Sequence, residues 1–161
     1  MRKAFTMVEL IIVIAIIGIL TAIAVPRLSV TRDDAKITNA KSVVANVRTA
    51  LSSEIQKKIL KGDFTPITNV GGETNEYNKP IFNYFDNNTS LSRVLEYPIR
   101  SCKDENAKGC WMKTGESEYT YYFPAAVAAQ VGTDSVKFTV NNGRFECDSN
   151  APIEACMALE R

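Results

Sequence analysis

Histidine is absent from the 161 residues. Its absence removes the commonest general base, and with it the Ser-His-Asp and Cys-His arrangements of nucleophilic catalysis. Zinc loses support for the same reason. The four cysteines, Cys102, Cys110, Cys147 and Cys156, form no close Cys-x-x-Cys pair and have no histidine to complete a site. There is no Gly-rich phosphate loop, and the carboxylates fall into no paired spacing, so they read as solvated surface and imply no cofactor. Asp148, Asn150 and Glu154 share the last cysteine loop without the regular spacing of a calcium loop, so no metal is expected. Net charge is nearly missing as well: a formal +1 makes no case for a nucleic-acid or membrane-surface binder.

What the chain has instead is a division into unlike parts. Its length accommodates one domain and an appendage. Residues 27–62 hold eight basic and three acidic side chains, a net of +5, whereas residues 63–161 hold nine basic and fourteen acidic ones, a net of −5. A head of that sign repels DNA, so direct nucleic-acid binding is not favoured.

The first residues are the most informative. Arg2 and Lys3 precede an apolar run, residues 10–25, that contains no charge and a single hydroxyl, Thr21. As a helix at about 1.5 Å per residue the run covers about 24 Å. Counting back to Phe5 lengthens it to about 32 Å, enough for a hydrocarbon core of roughly 30 Å, but that places Glu9 inside the span. A charge there costs at least about 2.5–3.5 kcal/mol on insertion scales, so Glu9 needs a compensating role. Two plain readings compete. One is a secretory signal peptide, with Arg2 and Lys3 as its positive head and Thr21-Ala-Ile-Ala24 as its cleavage site. The other is a single-span anchor whose Glu9 snorkels to the interface beside Arg2 and Lys3. Either would tether or export a periplasmic enzyme or binding domain.

The residue order favours neither. Ala4-Phe5-Thr6-Met7-Val8-Glu9-Leu10, followed by an uninterrupted apolar helix, closely resembles the class III signal of type IV pilins and type II secretion pseudopilins. The resemblance implies that a prepilin peptidase cuts between Ala4 and Phe5 and N-methylates Phe5, although the residue before the cut is usually Gly and here is Ala4. Glu9 becomes the fifth residue of the mature chain, the family's glutamate position, and Gly18 and Pro26 match its helix-loosening Gly and Pro. The implied partners are the peptidase, like or related pilin subunits in a helical filament, the inner membrane and its assembly platform. A single-pass inner-membrane precursor with a periplasmic head would then become a filament. In that setting the α-ammonium of Phe5 and the Glu9 carboxylate of a neighbouring subunit neutralise one another during assembly. The signal is shared by type IV pili, type II secretion and DNA-uptake competence systems.

Beyond Pro26 the helical pattern continues. Ile37, Ala40, Val44, Val47, Leu51 and Ile55 recur at intervals of three and four, so one apolar stripe faces inward while Lys36, Lys41, Asn46 and Arg48 face water or neighbours. Pro26 is expected to bend one long helix rather than end it, and Lys61-Gly62 to close it. Residues 63–80 read as a connecting loop, surface-exposed in the resembling proteins, with breakers at Thr65-Pro66, Gly71-Gly72 and Asn78-Lys79-Pro80. Residues 81–85 suit a strand or a buried turn, residues 88–95 a short capped helix, and residues 125–129 a helical turn or a loop. Residues 119–123 and 135–140 read as strands, and Asn141-Asn-Gly143 leading into residues 144–147 is a hairpin signal.

The expected fold class is therefore α+β: a long N-terminal helix, half membrane-spanning and half amphipathic, packed on a small antiparallel β-sheet head. The pilin resemblance adds a ladle shape and the division into a leader (residues 1–4), a transmembrane and assembly helix (5–26), the amphipathic helix of the head (27–62), and a periplasmic αβ-loop and sheet with disulfide loops (63–161). Four cysteines allow three pairings. Cys102 with Cys110 and Cys147 with Cys156 are favoured, since each pair brackets a polar loop with no competing cysteine between. The second pair resembles the disulfide-bounded C-terminal region of many pilins. Asp86-Asn87-Asn88-Thr89-Ser90 fits an acidic-x-Asn-x-Ser/Thr glycan acceptor resembling that of bacterial N-glycosylation systems, with Asn88 as acceptor; a helix N-cap is the competing reading.

Overall fold

A computed structural model of the chain describes residues 6–88 and 92–160, of which 23–31 are described for their backbone alone. One helix, α1 (Met7–Leu60), occupies a third of the chain. It begins at Thr6, whose side chain accepts a hydrogen bond from the Glu9 N–H, and it runs through Pro26 without ending there. A proline removes one hydrogen bond and crowds the preceding turn, a loss that a helix this long absorbs. At the other end the N–H groups of Gly62 and Asp63 donate to Ile59 and Lys58, which satisfies carbonyls that the helix leaves open.

The stripe read from the sequence faces the head. Ala40, Val43, Val44, Val47 and Leu51 are buried, with Ile37 and Ile55 packed at its edges. Arg48, expected to face water or neighbours, meets neighbours while its side chain stays 38 % exposed. Its Nε donates to the Phe145 carbonyl at 2.8 Å and its Nη2 pairs with Glu160. The reason is tertiary, because a strand and a C-terminal helix pass beside this turn of α1 and supply acceptors that no helical wheel shows.

The head is an antiparallel meander of four strands, β3 (Cys110–Lys113), β4 (Glu118–Tyr122), β5 (Ser135–Asn141) and β6 (Arg144–Cys147), in that spatial order. A two-stranded ladder, β1 (Pro80–Ile81) with β2 (Ile99–Arg100), lies apart from it. The expected hairpin forms with Asn141 opposite Arg144, and Asn142 and Gly143 both adopt positive φ, as a two-residue I′ turn requires. Along β5 the alternation buries Val136, Phe138 and Val140, which meet an aromatic cluster. Phe82 stacks on Tyr119 at 5.0 Å and Phe138 on Phe145 at 5.1 Å, with Trp111 edge-on to Phe138. Burial pushes the Tyr119 and Tyr121 hydroxyls well above the ordinary phenol range, so both stay protonated.

The segment expected as a surface loop is partly core. Ile67 and Val70 are buried, and the backbone around them must find partners inside the protein. It does so through side chains. The Tyr119 hydroxyl donates to Gly71 O and accepts from Val70 N–H, Asn69 Oδ1 accepts from Gly71 N–H, and Lys113 Nζ donates to Gly72 O. Lys113 sits over the Tyr119 ring, and burial lowers its pKa from the usual lysine value. The Asp86 carboxylate accepts from Thr68 N–H, Thr68 Oγ1 and Asn69 N–H and so ties the loop to residues 85–87.

Residues 88–95 do not form the expected helix among the described positions. Val94 and Leu95 donate to Asn83 and Phe82, and Tyr84 bridges Arg93, because extended pairing with residues 82–84 outcompetes a short isolated helix. Asn88 ends a 3₁₀ turn (Phe85–Asn87) rather than starting a helix. Two further helices complete the head: α2 (Ala125–Val131) and α3 (Ile153–Glu160), the latter with no counterpart in the sequence reading.

Both disulfides join the favoured partners, Cys102 to Cys110 and Cys147 to Cys156. The second ties α3 to β6, and Ala155 and Leu159 are buried in the core that α3 shares with α1. Replacing Cys147 and Cys156 together by serine is expected to lower stability by roughly 2–3 kcal/mol through the unfolded-state loop alone. A urea titration against the parent chain measures this, and an unchanged midpoint would refute it.

Candidate functional site

The two halves of α1 differ in what covers them. In the head half Val44 and Val47 are 0–1 % exposed, whereas every large apolar side chain from Met7 to Leu20 is 44–81 % exposed. A contiguous apolar surface of that extent marks an interface with lipid or with protein. Among the described residues no helix is long and apolar enough to cross a membrane. The run itself continues into residues 23–31, whose side chains are not described.

Glu9 is the one charge on this stretch. It stands in the first turn of α1, exposed, near helix N–H groups whose partial positive charge favours a carboxylate. Thr6 and Glu9 have the Ser/Thr-x-x-Glu spacing of a helix start, a signal present in the sequence but not used in reading it. Gly18 lies on the same exposed stem, with no atom outside the neighbouring helix backbone within 4 Å of where a Cβ would sit. Thr21 Oγ1 donates to the Ile17 carbonyl, so that hydroxyl is paired within the helix itself.

The other expected positions are distributed as follows. Ala4 and Phe5 lie outside the described residues; Pro26 is within α1, its side chain not described. Asn88 is described, but Thr89 and Ser90 of the same motif are not. Asp148 and Asn150 close on each other, Asp148 Oδ1 accepting from the backbone and side chain of Asn150, and no group of metal-binding side chains assembles among the described residues.

An uncovered apolar stem with one carboxylate near its start, continuous with an amphipathic helix laid on an antiparallel sheet, defines a chain of the stem-and-head kind. Such a chain is completed only by what encloses its stem. The model of the prokaryotic N-terminal methylation motif matches residues 1–25. Two proteins named Fimbrial protein, from Pseudomonas aeruginosa, are each 46 % identical over 54 residues, 34 % of this chain and 35 % of theirs. Type IV narrow pilus major component PilA5 of Thermus thermophilus is 54 % identical over 48 residues, 30 % of this chain and 41 % of its own. The matching stretch thus spans well under half the length of these curated relatives. No solved structure matches the chain. Residues 1–25 thus carry the prokaryotic N-terminal methylation motif, and part of the chain is similar to type IV pilus subunits, in line with the resemblance read from residues 4–10.

Proposed function

We propose that this chain is a structural subunit of a type IV pilus, with no catalytic step of its own. The observation that carries the reading is the uncovered apolar stem with its single carboxylate at residue 9, behind a methylation-motif N-terminus. In this reading a prepilin peptidase removes residues 1–4 and methylates Phe5. Residues 5–26 hold the precursor once across the inner membrane with the head in the periplasm. An assembly platform then lifts it into a filament in which neighbouring stems cover one another. Glu9 meets the terminal amine of the adjoining subunit, while Gly18 and Pro26 let the stem adjust. The disulfides suit the periplasm, where they persist.

N-terminal sequencing and intact mass of the membrane-extracted protein test the processing. N-methylated Phe5 is expected; a start at Val25 would instead indicate a secreted periplasmic domain, and retention of residues 1–4 in a host with a working peptidase would refute the reading. The same mass reads Asn88, since a glycan there adds to the processed chain.

The names of the relatives support a pilus over a type II secretion or competence pseudopilus. Deleting the gene should remove surface filaments. Intact filaments together with lost protein secretion or DNA uptake would move the chain to one of those systems.

A further inference from the structure

Where α1 enters the head, a cleft of about 110 Å³ opens between the helix, β2, the end of the first disulfide loop and the sheet. Its lining includes Lys36 and Asn39 from α1, Arg100 from β2, and Gly109, Trp111 and Tyr121 on the side of the sheet. No carboxylate contributes to this lining. Arg100 uses Nη1 on the Asn78 carbonyl at 2.7 Å, and guanidinium carries five N–H donors, so its remaining donors have capacity for another acceptor. Lys36 reaches Asp33 at 3.5 Å from a side chain that is 45 % exposed, a contact that leaves two of its three ammonium protons uncommitted. Trp111 is 2 % exposed, and its Nε1–H is buried with no acceptor among the described residues. Lysine, arginine and indole donate and cannot accept. The chemistry of the lining therefore calls for a compact acceptor, and its charge calls for an anion.

Local packing holds the cleft to its size. Gly109 lies against the aliphatic stem of Lys36, so that any Cβ at that position would overlap it. The Tyr121 hydroxyl donates to the Lys36 carbonyl at 3.3 Å and anchors the same turn of α1 to the sheet. Cys110, also in the lining, is bonded to Cys102, which fixes the loop that closes the cleft.

We propose that this cleft is an oxyanion subsite that takes one carboxylate or phosphate group, bound by Arg100 and Lys36 beside Trp111. The volume suits a group of a few heavy atoms. Either a free small anion or an acidic side chain of a second copy of the chain presents that chemistry. The inference rests on the cleft itself and not on the filament reading.

Trp111 is the only tryptophan in the chain, so its fluorescence reports the cleft directly. Full-length protein in non-ionic detergent is titrated with sodium phosphate and with sodium acetate, ionic strength being held constant with sodium chloride. A saturable change in Trp111 emission is expected with at least one of the two oxyanions and not with chloride. Arg100→Gln and Lys36→Gln should each weaken it at least tenfold, while Lys108→Gln, outside the cleft lining, should leave it unchanged. Gly109→Ala, which displaces the Lys36 stem, should weaken it as well. A parent chain that gives no saturable response, or Arg100→Gln and Lys36→Gln chains that respond like the parent, would overturn the proposal. The source is read separately by concentrating the protein without added anion. An Arg100-dependent emission change that grows with protein concentration assigns the oxyanion to a second copy. A change that needs added phosphate or acetate assigns it to a free anion.

Discussion

Glu9→Ala is expected to abolish filament formation while the chain remains in the membrane at the parent level. The proposed assembly places the Glu9 carboxylate and the Phe5 ammonium of adjoining subunits in an apolar setting. Leaving one member of such a pair without its opposite costs about 3–5 kcal/mol. Per subunit contact that is roughly two to four orders of magnitude in association, far more than a polymer of weak repeated contacts can absorb. Helix loss is not a competing explanation, because the hydrogen bond at the start of α1 uses the Glu9 backbone N–H and the Thr6 hydroxyl, both of which the alanine variant keeps. Thr6→Ala tests that bond by itself and should cost only about 1 kcal/mol, with assembly retained. Glu9→Gln, which keeps the shape and removes the charge, should behave as Glu9→Ala does. Electron microscopy of sheared filaments beside an immunoblot of the membrane fraction decides it: normal filament yield from either Glu9 variant would sink the pairing.

The largest effect on the folded head is expected from Gly71→Ala. Gly71 has φ +86°, a conformation that costs an L-residue about 1–2 kcal/mol. Space is a second obstacle, since a Cβ there would overlap Asn83 Oδ1 and stand 2.6 Å from the Tyr84 carbonyl oxygen. Neither side yields readily. Gly71 is held by Asn69 and the Tyr119 hydroxyl, and Tyr84 is paired with Arg93. Overpacking of this kind adds about 1–3 kcal/mol, for a total of roughly 3 kcal/mol and a fall in Tm on the order of 10 °C. Gly132→Ala is the control: its φ is +75°, but nothing lies within 4 Å of the added Cβ, so it should cost about 1 kcal/mol and a few degrees. Equal losses in the two variants, measured by thermal denaturation, would show that the close approach at Gly71 contributes nothing.

Much of the architecture is legible in the chain because it follows local rules. The period of three and four through Val44, Val47 and Leu51 names the buried face of α1, and Lys61-Gly62 names its end. Asn142-Gly143 names the hairpin, since few residue pairs accept positive φ twice in succession. The two disulfides bridge short polar loops with no competing cysteine between, so proximity along the chain selects them. What escaped notice depends on residues far apart in sequence. Strand β3 has a pattern too short to read and is buried from Trp111 to Lys113 by contacts with β4. Helix α3 is a short apolar stretch that becomes a helix docked on α1 once β6 brings Cys147 beside Cys156. The pairing of Arg48 with the Phe145 carbonyl and the burial of Lys113 likewise need acceptors supplied by distant backbone.

The sequence by itself determined the stem: its methylation motif, its apolar length, its lone acid and the amphipathic continuation beneath the head all lie in consecutive residues, where helical geometry converts spacing directly into a surface. Only the tertiary structure decided how the head closes over that helix, which polar side chains satisfy the buried loop at residues 67–72, and that Lys36, Arg100 and Trp111 line one cleft. Those outcomes arise because a buried donor or acceptor must find a partner wherever the fold brings one, and nothing in the local order of residues states where that will be.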